Sequence, residues 1–185
     1  MIPLASLWLP IVLSAVIVFI ASSILHMVFT YHQSDYSQVP DEDKFLAAFR
    51  PANLKPGLYV FPFYHHKEMN SPAAIEKFKQ GPVGFMTIMR NGPPNMPKML
   101  ILWFIYCLII GVFVAYLTKH AVPSGSAYLV VFRAAAVAAF LAYGVAQLSN
   151  AIWRGQTWTA AIKELIDGLI YALLTAGTFG WLWPR

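Results

Sequence analysis

Charge is what this sequence has least of. Only 11% of its 185 residues are charged, against about 25% in an ordinary soluble domain, while 58% are hydrophobic. Too few ionic groups are left to wet the outside of a globule this size, which excludes an ordinary soluble domain, and the apolar content excludes a disordered chain. Lipid is the solvent that this composition fits. Cysteine is also nearly absent. Cys107 stands alone in an apolar run, so there is no intrachain disulfide and no zinc or iron–sulfur site built on several thiolates. The catalytic signatures are missing as well: no glycine-rich phosphate loop, no Gly-x-Ser-x-Gly, no His-Glu-x-x-His and no Cys-x-x-Cys-His. Five histidines are too few for a multi-histidine membrane oxygenase. No inverted repeat of paired spans is visible, which argues against a complete transporter in one chain.

What is there is four apolar runs, at 7–30, 99–118, 127–148 and 165–183, each near the length of about 20 residues that a helix needs to cross roughly 30 Å of hydrocarbon. Arg133 interrupts the third and Asp167 the fourth. The first run lacks a basic leader and a small-residue cleavage site, and reads as an uncleaved anchor. The short Pro-, Gly- and polar-rich linkers at 121–126 and 150–157 make spans two to four antiparallel neighbours.

The net charge of +5 does not point to nucleic acid, since no basic helix or basic–aromatic patch occurs. The basic residues instead mark topology. Lys44, Arg50, Lys55, Lys67, Lys77, Lys79, Arg90 and Lys98 lie between spans one and two, and Arg154 and Lys163 between spans three and four. The positive-inside rule places these segments in the cytoplasm and both termini outside. Within the long loop, residues 40–49 read as a short helix with acidic residues in its first turn. The run at 57–64 reads as a strand, confined to an edge by Pro62. A helix then begins at Ser71-Pro72 and ends at Gly81-Pro82, and a second strand follows at 83–89. A unit of this size is too small to be stable with confidence alone and is expected to rest on the bundle.

Small residues recur every four positions in span three (Ala134, Ala138, Ala142, Ala146) and span four (Gly168, Ala172, Ala176, Gly180), with a shorter series in span two (Cys107, Gly111, Ala115). Residues four apart share a helix face, and in lipid such faces let helices pack closely. They predict a tight hairpin of spans three and four, or a contact with another subunit.

Ionisable residues at membrane depth are costly and mark sites by default. His26, His32, Asp35, Glu164 and Asp167, with Gln147 and Asn150, are all expected at the cytoplasmic end of the bundle. Three readings follow. The five ionisable residues could hold a divalent transition metal, because imidazole and carboxylate together suit zinc, iron or manganese, although their spacing matches no standard signature. Asp167 and His26 could serve ion or proton passage, or bind a small polar ligand. Or the groups are satisfied interfacial pairs, with His26 bonded to a carbonyl or to Asp167, and Glu164 paired with Lys163 or Arg154. Arg133 is expected to snorkel to the interface at the opposite end, or to meet an anion, a lipid headgroup or a partner's carboxylate. His65, His66 and Met69, with the Met86/Met89 and Met96/Met99 pairs, form a second metal-capable group suited to Cu(I), competing with ordinary packing.

The carboxyl-terminal DGLIYALLTAGTFGWLWPR, with HMVFTYHQSDYSQVPDED, QGPVGFM and IWRGQTW, resembles a group of small bacterial inner-membrane proteins of four spans. The resemblance implies bacterial origin and location in the inner membrane, and brings no activity, cofactor or catalytic residue. The expectation is an all-α membrane protein. Residues 1–30 form the first span, residues 31–97 a small cytoplasmic α/β insertion between helices 1 and 2, and residues 98–185 the remaining spans of a four-transmembrane-helix bundle. With no complete catalytic set, the leading functional expectation is an accessory or scaffold protein. It would act through helix packing and its cytoplasmic cap, with the bilayer and other membrane subunits or further copies of itself as partners. Ion or solute transport through Asp167 and His26, and a metal-dependent role, are the alternatives.

Overall fold

A computed structural model describes residues 2–185. The chain divides into two compact units, one of residues 2–35, 95–151 and 156–185, the other of residues 36–94 and 152–155.

The first unit is helical. Its elements are α1 (Trp8–Met27), α4 (Met96–Ala121), α5 (Tyr128–Tyr143), the start of α6 (Leu148–Arg154) and α7 (Trp158–Trp181). The second contains α2 (Glu42–Phe49), β1 (Gly57–Phe61), α3 (Pro72–Gln80) and β2 (Gly84–Ile88). The two strands pair antiparallel, with Gly57 opposite Ile88 and Phe61 opposite Gly84. The Ser71 hydroxyl caps α3 by accepting from the Ala74 amide at 3.2 Å, and Gly81 ends it at φ 61°, where a side chain would be strained. All four elements read from the loop sequence are present.

Three helices are long and apolar enough to cross a membrane: residues 4–27, 96–121 and 128–154, the last counted through its interruption. In the helical unit, α1 packs on α4 and α7, and α5 packs on the same two helices, closing a ring of four. The buried line of α1 is Leu7, Ile11, Ala15, Val18 and Ser22, while Trp8, Val12, Val16, Ile20 and Ile24 face outward. The outward positions of α7 are apolar too, at Ile162, Ile166, Leu169 and Leu173, and its Asp167 is buried. This is inside-out relative to a soluble amphipathic helix and suits an apolar surround. Two indole N–H groups find partners on other segments of the chain. Trp103 Nε1 donates to the Ser22 hydroxyl at 2.8 Å, and Trp183 Nε1 donates to the Pro123 carbonyl at 2.9 Å.

The closest helix pair is α5 with α7. A Cβ added at Gly168 would lie 2.4 Å from the Gly144 Cα and 2.8 Å from the Tyr143 carbonyl carbon, so the two backbones are in direct contact there. At the other end of the pair, a Cβ at Gly180 would meet the Tyr128 ring at 2.7 Å. A Cβ added at Gly111 on α4 would lie a tight 3.3 Å from the Ile11 carbonyl oxygen on α1.

Two sequence expectations change. The run at 127–148 is not one helix. It stops at Tyr143, passes Gly144 into a 3₁₀ turn at Val145–Gln147 and resumes as α6, which Gly155 closes at φ 71°. Glycine is a poor helix former, and at this position the neighbouring helix presses on the backbone. The buried line of α5 is also shifted by one residue. Val131, Ala135, Ala139 and Tyr143 are buried, Ala134, Ala138 and Ala142 flank them half-buried, and Ala146, beyond the break, is exposed. The series on α7 and α4 do face inward, so these small-residue faces are used within the chain.

Gly168→Ala is expected to lower the thermal stability of the detergent-solubilised protein by overpacking, at a cost of about 1–3 kcal/mol. Gly177→Ala in the same helix meets only the Tyr128 hydroxyl, at an ordinary 3.6 Å, and should be neutral or stabilising. Equal melting temperatures for the two variants would contradict the backbone contact.

Candidate functional site

The site is built where α1 ends and α7 is entered. After Met27 the chain turns and forms a 3₁₀ turn at Tyr31–Asp35, which packs on α7. On α7, Lys163, Asp167 and Tyr171 fall at four-residue intervals and so share a face. Gly168 follows directly, so the backbone contact with Gly144 fixes where Asp167 stands. Asp167 is the tenth residue of α7, about 14 Å along the axis at 1.5 Å per residue.

The Asp167 carboxylate is buried, its side chain only 4% exposed. The Tyr31 hydroxyl donates to its Oδ1, and His32 Nε2 lies 2.7 Å from its Oδ2. The other ring nitrogen of His32, Nδ1, lies 2.7 Å from Asp35 Oδ2. Lys163 then clamps the turn. Its ammonium donates to Asp35 Oδ1 at 2.6 Å, to the Tyr31 carbonyl at 2.6 Å and to the Ser34 hydroxyl at 2.7 Å. The result is a continuous chain of groups, Lys163–Asp35–His32–Asp167–Tyr31. His26 approaches from α1. Its Nε2 is 3.7 Å from Asp167 Oδ2 and 3.4 Å from the Tyr171 hydroxyl, and its ring stacks on His32 with centroids 4.6 Å apart.

These contacts set the charges of the turn. Partial burial disfavours the His32 imidazolium, but hydrogen bonds to Asp35 and Asp167 and their negative charges outweigh it and raise the pKa above its ordinary 6.5. The hydrogen bond from Lys163, followed by that from His32, holds Asp35 below its ordinary 3.8. Burial and then the bond to Asp167 push the Tyr31 hydroxyl upward, keeping it a donor.

Of the residues singled out from sequence, His26, His32, Asp35 and Asp167 are brought together. Glu164 is near but differently engaged. Its Oε1 accepts from Gln156 Nε2 at 2.8 Å, in place of the expected pairing with Lys163 or Arg154, and Lys163 goes to Asp35. Arg133 is exposed on α5, ten residues and about 15 Å from the Tyr143 end, outside the cluster. His65, His66 and Met69 are exposed in the other unit. Among the described residues, His26, His32 and Asp167 are the group of three His, Cys, Asp or Glu side chains placed to hold a metal, with a ligand atom of each within 4.8 Å of the others.

Tyr31, Lys163, Tyr171, Trp103 and Tyr143 were not singled out. The four-residue spacing from Lys163 through Asp167 to Tyr171 carried a signal for two of them. The other aromatics gave none, since rings near a membrane interface are common. No family model, curated protein or solved structure matches the chain.

The folded chain binds the His32 proton more tightly than the unfolded chain does. The resulting stabilisation is full below pH 6.5 and fades as pH rises through the raised value. Asp35 behaves oppositely: its contribution is present above 3.8 and is lost as pH falls through the lowered value. The turn is therefore held most firmly between these limits. NMR titration of His32 in detergent is expected to give a midpoint above 6.5, and Asp35→Asn should bring it down. An unshifted midpoint, or one indifferent to the substitution, would contradict the geometry.

Proposed function

We propose that this is a multi-pass membrane protein whose working centre is a divalent transition-metal site formed by His26, His32 and Asp167. The observation that carries this reading is the double engagement of His32. A metal-ligating histidine characteristically donates its second ring N–H to a carboxylate, which fixes the tautomer and aims the free nitrogen. Here Asp35 accepts from Nδ1 and Lys163 holds Asp35, while Nε2 faces the Asp167 carboxylate through a proton that an incoming metal ion would displace. An ion with bonds of about 2.0–2.1 Å places tetrahedral ligands about 3.3 Å apart. Two of the separations, 2.7 Å (His32 to Asp167) and 3.7 Å (His26 to Asp167), lie on either side of that value, and one ligand atom of each residue falls within 4.8 Å of the others, so an ion would draw the three side chains together. Two imidazoles and a carboxylate suit zinc, iron, manganese or cobalt, and leave coordination positions open.

In this reading α7 is a fourth span. Its 24 residues suffice to cross, its outward face is apolar, and the charges that lower its hydropathy point inward. The basic loop between α1 and α4 argues for a cytoplasmic location of that segment and of the metal site, with the amino terminus outside.

The purified full-length protein should bind one Zn²⁺ or Co²⁺ per chain by equilibrium titration. His32→Ala and Asp167→Asn should abolish binding, and Asp35→Asn should weaken it by about 10–100-fold. Substoichiometric binding, or binding indifferent to all three substitutions, would overturn the assignment. Orientation has its own test, made simple by a single buried native cysteine. On a Cys107→Ser background, Asn91→Cys should react with an impermeant thiol reagent only from the cytoplasmic side, and Ser124→Cys only from the outside. The reverse pattern would refute the orientation and leave the metal site standing.

A further inference from the structure

Asp167 has a second side. It also lines an open cavity of about 190 Å³ in the helical unit, shared with Glu164, His26, Gln147 and the rings of Trp103, Tyr143 and Tyr171. The three rings are arranged edge to face around Tyr171: Trp103 lies 6.2 Å away at 66°, and Tyr143 5.6 Å away at 75°. The faces of such rings carry negative electrostatic potential and attract cations.

The polar accounting of this region is incomplete. Glu164 Oε1 is satisfied by Gln156, but Glu164 Oε2 is buried without a hydrogen-bond partner, and so is Gln156 Oε1. Buried acceptors without donors are costly, a carboxylate oxygen most of all. The helical unit has three acidic residues, Asp35, Glu164 and Asp167. Lys163 is fully engaged by the turn, with its three donors directed at Tyr31, Ser34 and Asp35. The cavity is therefore lined by one carboxylate with a free oxygen, Glu164, beside the already bonded Asp167 and three aromatic rings, with no lysine or arginine among its walls.

We propose that this cavity binds a small organic ammonium ion, with Glu164 as its principal anionic contact and Trp103, Tyr143 and Tyr171 as its aromatic walls. The modest volume of about 190 Å³ suits a methylated or short-chain amine. The chemistry is distinct from that of the metal site. A hard metal ion draws on the imidazole nitrogens, whereas an alkylammonium needs ring faces and a carboxylate and makes no use of His32. The inference shares Asp167 and His26 with the metal reading and does not depend on it.

The test is equilibrium binding of radiolabelled choline to the full-length protein in detergent or nanodiscs, with its neutral isostere 3,3-dimethyl-1-butanol as unlabelled competitor. Saturable binding of one choline per chain is expected. The isostere should compete at least about tenfold more weakly, because it lacks the charge that the rings and carboxylates recognise. Glu164→Gln, nearly isosteric, should weaken choline binding at least about tenfold while leaving Zn²⁺ titration unchanged. His32→Ala should remove Zn²⁺ binding and retain choline. Absence of saturable binding by the wild-type chain, equal competition by the isostere, or indifference to Glu164→Gln would each overturn the proposal. Loss of Zn²⁺ binding alone would overturn only the metal site.

Discussion

The contact between Gly144 and Gly168 governs the rest of the helical unit. Neither position has room for a Cβ: one at Gly168 would enter the backbone of residues 143–144, and one at Gly144 would meet the Phe140 ring at 2.8 Å. With the side chains removed, α5 and α7 touch through their main chains, and the relative height and rotation of the pair are set. Asp167 precedes Gly168, and Tyr143 precedes Gly144, so the acidic group and one aromatic wall of the cavity are placed by the same contact. A carboxylate buried in apolar surroundings is tolerated only where donors are fixed around it. Here the donors come from the turn after α1, which Lys163 ties to the same face of α7.

The cluster consequently has a closed and an open side. Toward the 31–35 turn, each group has its partner, and the chain from Lys163 to Tyr31 alternates donors with acceptors. Toward the cavity, Glu164 Oε2 is buried without a partner. That unpaired oxygen, set against the fully paired turn, is the observation on which the proposed cavity ligand rests.

Much of this was legible in the sequence, and the exceptions have physical reasons. The elements of the 36–94 unit were readable because caps and breakers are local: Ser71 and Gly81 bracket α3 whatever surrounds them. The convergence of His26, His32, Asp35 and Asp167 followed from counting spans, since polar residues at matching ends of antiparallel helices must meet. The break at Gly144 was not readable, because apolar composition runs through it unbroken and the glycine acts by what presses against it. The buried line of α5 was misplaced by one residue for a related reason. Alanines occupy several faces of that helix, so its rotation is chosen by α7 and by Tyr143 and not by its own pattern. Lys163 and Arg154 were alternative partners for Glu164 on proximity in sequence, yet Glu164 accepts from Gln156, and the lysine follows the Asp167 face to Asp35.

The bonds that complete the cluster join residues 128 to 136 positions apart in the chain. This fixes an order of events during synthesis. When Tyr31, His32 and Asp35 emerge, the carboxylate and ammonium that will engage them have not been made, and the turn waits for its partners while two further apolar helices are synthesised. Asp167 then arrives in the last long helix and finds its donors already waiting at the bundle's edge. The most costly side chain of the bundle is thus delivered last, to a place where its hydration shell can be exchanged directly for protein hydrogen bonds.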